Sequence, residues 1–133
     1  MLTKKLLKSI LLFALLSFPL LCKAEFCPTA LELQAGNYNE WKLLNIDDAS
    51  PLSDEDTKNF QNKVQSFALA EWMSAAPEGS GHCYYWGDIP DPNYLGAFLA
   101  KDGLKPLSPA WEYVNENVMQ CTAGAGVCLF ESS

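Results

Sequence analysis

The cysteines constrain this chain more than any other feature. Cys27, Cys83, Cys121 and Cys128 all follow an N-terminal segment, "MLTKKLLKSILLFALLSFPLLCKAEF", that has the layout of an export signal. Lys4, Lys5 and Lys8 precede an apolar run from Ile10 to Leu21, and "CKA" ending at Ala24 resembles an Ala-x-Ala cleavage site. The run is about 12 residues long, short of the roughly 20 that cross a bilayer, so cleavage is expected rather than a membrane anchor. Leu21 precedes Cys22 where lipid attachment would want a small residue, which argues against a lipoprotein. Residues 1–24 are therefore expected to be a signal peptide, and residues 25–133 a single small domain exported to the periplasm or beyond. An exported chain with four cysteines is expected to form two disulfides. A four-Cys zinc site would want close Cys-x-x-Cys pairs, whereas the spacings here are 56, 38 and 7.

Loss of the signal changes the charge. The segment holds four of the nine Lys and none of the sixteen acids, so the mature chain carries five Lys against sixteen Asp and Glu, a net charge of −11 with no Arg. Nucleic acid and anionic membranes are recognised by basic patches that release counterions, and neither is an expected partner. A protein partner with a basic surface, or a cation, is compatible with this charge.

Along the mature chain, "CPTALELQAG" predicts a short helix with Pro28 in its first turn, ending at Gly36. "YNEWKLLNI" predicts a first strand. "DDASPLSDEDTKN" suits either a solvated acidic loop or a short helix. For the helix, Ser53 would be the N-cap, with Asp54, Glu55 and Asp56 in the first turn and Phe60 and Val64 on one face. It lacks the alternation, central Gly and closing Glu of a calcium loop. "VQSFALAEWM" alternates as a strand, with Phe67, Leu69, Glu71 and Met73 on one face and Ser66, Ala68, Ala70 and Trp72 on the other. "APEGSG" predicts a turn, "HCYYW" a strand and "YLGAFLA" another strand closed by "KDG". "SPAWEYVNENVMQC" fits a helix or a β-hairpin, with the hairpin preferred. The expected fold class is α+β: a mainly antiparallel sheet with little helix, stabilised by disulfides in a single domain.

The stretch "GSGHCYYWGD" holds the only His beside a Cys. On a strand, His82, Tyr84 and Trp86 share one face while Cys83 and Tyr85 share the other. An oxidised Cys83 is no nucleophile, and His82 points away from it, so a Cys-His dyad is not expected. His82, Tyr84 and Trp86 form a candidate binding face, because rings with polar tips give large contact area at low entropic cost. The plainer alternative is that Tyr84 and Trp86 are half-buried core with a solvated His at the edge. Asp88 and Asp91, in "DIPDP", match a carboxylate pair but also an ordinary Pro-rich turn. No Ser lies in a nucleophile elbow. "CTAGAGVC" lacks the Lys and the helix of a phosphate loop. No catalytic residue, cofactor or metal site is assigned.

The linker "TAGAGV" is short and flexible enough to bring Cys121 to Cys128. That would leave Cys27 with Cys83, closing a large loop. Crossed pairings of Cys27 with Cys121 or Cys128 remain open at this stage.

"CP" after the signal, "GNYNEW", "FALAEW", "CYYW" and the closing "CTAGAGVCLF" together resemble a family of small exported proteins of unknown function from Legionella-like gammaproteobacteria. The resemblance spans Cys27 to Phe130 and implies an exported, disulfide-bonded domain without catalytic residues to transfer. The functional expectation is a non-enzymatic binding or interaction module. The alternatives are an inhibitor of a basic hydrolase, such as a protease or lysozyme, and a small hydrolase using His82 with Asp88 or Asp91.

Overall fold

The computed structural model describes residues 24–75 and 78–133. The signal-peptide expectation falls on residues 1–23, which lie outside the described residues, as do residues 76 and 77 of the predicted turn. The fold is mostly antiparallel sheet with little helix and two disulfides in one domain.

The strands are β1 (Ala24–Glu25), β2 (Lys42–Asn45), β3 (Ser66–Met73), β4 (Ser80–Trp86), β5 (Ala97–Asp102), β6 (Leu104–Pro106), β7 (Glu112–Asn115), β8 (Val118–Cys121) and β9 (Phe130–Ser132). Among the described residues they form a six-stranded sheet in the order β2-β5-β4-β3-β8-β7 and a three-stranded sheet in the order β1-β9-β6. Every neighbouring pair is antiparallel. The chain passes from the large sheet to the small one at Gly103, whose φ of +74° suits glycine. The C-terminal stretch of uncertain type is the hairpin β7–β8.

Among the described residues two α-helices accompany the sheets. In α1 (Ala30–Gln34), the Thr29 hydroxyl accepts from the Glu32 N–H while the Glu32 carboxylate accepts from the Thr29 N–H, a reciprocal capping box. Pro28 thus stands ahead of the cap rather than in the first turn. The acidic stretch is helical where its sequence allows: α2 (Asp54–Lys63) has Ser53 as N-cap, accepting from the Asp56 N–H, three acids in its first turn and Lys63 in its last. Phe60 and Val64 are buried on its inner side.

The core lies between the inner face of the six-stranded sheet, the helices and the small sheet. Tyr85, at the centre, meets Phe60 and Phe67 edge-on, with ring centroids 6.3 and 5.9 Å away. Phe130 packs against Trp41 at 5.7 Å and Trp111 at 4.8 Å. Indole N–H groups satisfy carbonyls where the sheets meet: Trp72 donates to Leu104 O at 2.7 Å and Trp111 to Leu129 O at 2.8 Å. The disulfides join Cys27 to Cys83 and Cys121 to Cys128, with Cα separations of 5.8 and 5.7 Å.

Three sequence expectations are corrected. The alternation of β3 is broken at Ala68: Phe67 pairs with Tyr85 but Leu69 pairs with Tyr84, so Ala68 is bulged. Phe67 therefore turns inward with Ala70 and Trp72, while Leu69, Glu71 and Met73 face outward. Strand β4 begins at Ser80, inside the predicted turn. Gly81 is a packing glycine there, since a Cβ would lie 2.9 Å from Phe130 Cε1 and 3.0 Å from Leu104 Cδ1. Strand β5 begins at Ala97 rather than Tyr94, because Tyr94–Gly96 make a 3-10 turn with Tyr94 and Leu95 at positive φ.

Candidate binding face

Strand β4 is one of the two central strands of the six-stranded sheet, and its burial alternates residue by residue from Gly81 onward. Cys83 and Tyr85 are fully buried inward, whereas His82, Tyr84 and Trp86 are half-buried outward. The three sequence-predicted residues thus lie on one face. The oxidised Cys83 lies on the opposite face from His82, so these two do not form a dyad.

Ladder register brings further side chains to this face. Phe98, just beyond the Cys83–Leu99 pair that ends the β4–β5 ladder, stacks on Tyr84 with a centroid distance of 5.6 Å and an interplanar angle of 19°. The His82 ring meets Phe98 edge-on at 5.1 Å. Tyr94, from the 3-10 turn, approaches Tyr84 at 5.0 Å. The result is a continuous run Tyr94–Tyr84–Phe98–His82, on the face away from the core. Phe98 is only 7% exposed although it stands outside the main core, because these rings cover it. Trp86 closes β4 at the same face, opposite Ser66.

A polar network lies beside the rings. Glu71, on β3, is directly opposite His82 on β4 and Gln120 on β8. Its carboxylate accepts from the Tyr84 hydroxyl at 3.2 Å and from the Gln120 amide at 3.1 Å. His82 Nδ1 stands 3.5 Å from Glu71 Oε1, within ion-pair range, and the other ring nitrogen is 3.2 Å from the Ser80 hydroxyl. The His82 contact is the main influence holding the Glu71 carboxyl below its usual range; burial opposes it, and the Gln120 amide and the Tyr84 hydroxyl help. Burial, followed by the Glu71 charge, pushes the Tyr84 phenol well above its usual range. Glu71 is therefore the fixed negative charge of the face.

The same row continues across the sheet, because Ala100 pairs with His82 on one side and Lys42 on the other. The small Ala100 side chain leaves a hollow of about 500 Å³ bordered by Lys42, Leu44, Pro51, Ala100 and Asp102. Asp102 is in turn the direct partner of Ser80.

Asp88 and Asp91 do not join this group. Both are exposed, and Asp91 accepts from the Asn93 N–H at 2.8 Å, which is a turn role. Among the described residues no three His, Cys, Asp or Glu side chains are grouped to hold a metal ion. No described helix is long and apolar enough to cross a membrane. Sequence reasoning missed Glu71, Ser80, Tyr94 and Phe98 as site residues. The one available signal was Glu71 itself, a lone charge within the apolar "FALAEWM". Comparison with protein-family models, curated proteins and solved structures finds no match to this chain.

Proposed function

We propose that the protein is exported after removal of residues 1–24 and serves as a binding module whose contact surface is the outward face of the six-stranded sheet. The observation that carries this is the run Tyr94–Tyr84–Phe98–His82, whose half-buried Tyr94, Tyr84 and His82 cover the buried Phe98, with Trp86 beside it. Rings locked by stacking present area without much further loss of side-chain entropy on binding. Glu71 gives the face a fixed charge, and the −11 net charge of the mature chain favours a basic protein partner. The resemblance to small exported proteins of unknown function belongs with this reading. Affinity capture from periplasm and culture fluid tests it with the wild-type protein and a Tyr84→Ala/Trp86→Ala variant. A partner retained by the wild type and lost by a folded variant is expected; equal retention by both removes the face from binding.

A second reading, inhibition of a basic hydrolase, draws on a different surface. Asp47, Asp48, Asp54, Glu55 and Asp56 are all exposed around the start of α2. Phe60 of this helix packs against the inward Tyr85, so Asp54, Glu55 and Asp56 lie across the sheet from the aromatic face. Association through them would weaken markedly between low and high salt.

A further inference from the structure

Ser80, His82 and Glu71 stand in line on the outward face, on adjacent strands whose register places Glu71 directly opposite His82. The Ser80 hydroxyl meets Nε2 of the ring at 3.2 Å, and the Glu71 carboxylate faces Nδ1 at 3.5 Å. This polarity matters chemically. At 3.5 Å the carboxylate makes no hydrogen bond to Nδ1, but its charge beside that nitrogen favours the proton there, the tautomer in which Nε2 can accept the proton of a serine hydroxyl. Gln120 and Tyr84 both donate to the carboxylate and hold it in place. All three side chains are largely withdrawn from water: Ser80 is 2% exposed, and the side chains of His82 and Glu71 are 16% and 18% exposed.

Asp102 and Ala100 are the cross-strand partners of Ser80 and His82, and both border the 500 Å³ hollow. Cross-strand neighbours lie about 5 Å apart, so the hollow borders the partners of Ser80 and His82 although neither residue lines it.

We propose that Ser80 is an acyl-accepting nucleophile with His82 as its general base and Glu71 as the positioning residue, acting on small esters that fit the hollow. The Ser80 oxygen attacks the ester carbon as its proton passes to His82 Nε2. The bond to the alcohol oxygen breaks, and His82 returns the proton to the departing alkoxide. Water then attacks the acyl-serine, gives a proton to His82 and releases the carboxylic acid, while Ser80 regains its proton. Glu71 accepts no proton. Partner binding by the aromatic rings does not depend on this chemistry, so the two fail separately.

The test uses the mature exported protein with an alkyl fluorophosphonate, which forms a serine–phosphorus bond and expels fluoride, followed by peptide mass spectrometry. One adduct is expected, on the peptide containing Ser80, together with release of p-nitrophenolate from p-nitrophenyl acetate. His82→Gln should slow adduct formation by about 100-fold or more, the usual contribution of a general base. Glu71→Gln should shift the pH midpoint of labelling. Ser80→Ala should abolish the adduct; where that variant does not fold, the adduct's position on the wild-type chain decides. No adduct on the wild type, an adduct elsewhere, a labelling rate unchanged in His82→Gln, or an unmoved pH midpoint in Glu71→Gln each overturns the proposal.

Discussion

The hydroxyl of Tyr85 donates to the carbonyl of Pro28 at 2.6 Å, beside the bridge from Cys27 to Cys83. The N-terminal segment is thereby fastened to the inner face of β4 at two points. The adjacency of His82 and Cys83 in the sequence is thus a consequence of strand alternation: Cys83 anchors the core while His82 serves the opposite face. Interior fastening of β4 is also what holds the outward rings in fixed places.

Disulfide removal should separate the two bridges. The Cys27–Cys83 bridge spans 56 positions and the Cys121–Cys128 bridge only 7. Loop-closure entropy assigns about 4 kcal/mol to the first and about 2.5 kcal/mol to the second. Urea unfolding of a Cys27→Ser/Cys83→Ser protein should therefore show the larger loss, and non-reducing peptide mapping should recover these two linkages alone.

Gly81→Ala should destabilise the domain by about 1–3 kcal/mol through overpacking, because the added methyl would meet Phe130 and Leu104 at the junction of the two sheets. Gly126→Ala, with nothing within 4 Å of its would-be Cβ, should stay within about 0.5 kcal/mol. Denaturant midpoints of the two variants make the comparison.

How much of this was legible in the sequence varies with the range of the interaction. Helix α2 was written in local terms, from Ser53 through its three following acids to Phe60 and Val64. The alternation of "HCYYW" placed His82, Tyr84 and Trp86 together because period two needs no knowledge of neighbours. The bulge at Ala68 left no mark, since either register keeps an apolar pattern and only the pairing with Tyr84 and Tyr85 selects one. "GSG" resembled a turn because the packing demand on Gly81 comes from Phe130, 49 positions away. Strands β6 and β9 are three residues each and gain their partners from one another. The alignment of Glu71, His82 and Ser80 likewise exists only once β3 and β4 are in register.

Titration should show both ends of the Glu71–Tyr84 contact. The Glu71 carboxyl is held below its ordinary 4.5, so its contribution to stability is present above that pH and is lost as the pH falls through the folded-state value. The Tyr84 phenol is held above its ordinary 10.0, chiefly by burial, so its contribution is present below pH 10 and is lost as the pH rises beyond it. Unfolding curves measured across pH should be flatter on the acid side for Glu71→Gln and on the alkaline side for Tyr84→Phe. Ultraviolet titration should find Tyr84 and Tyr85 ionising well above the ordinary 10.0.

Intact-mass measurement of the exported protein should give a chain beginning at Glu25, with both disulfides formed. Cleavage there removes the pairing of Ala24 with Glu131 but keeps that of Glu25 with Phe130. Retention of residues 1–24, or a lipid mass on Cys22, would contradict export by signal cleavage.

Site-specific photo-crosslinking in cells that export the protein tests the central claim most directly. A benzophenone amino acid placed at Trp86 samples the aromatic face, and one at Glu55 samples the acidic start of α2 across the sheet. The account predicts a discrete crosslinked species from position 86 and none from position 55. A crosslink from position 55 alone, or none from position 86 in a folded protein, would contradict it.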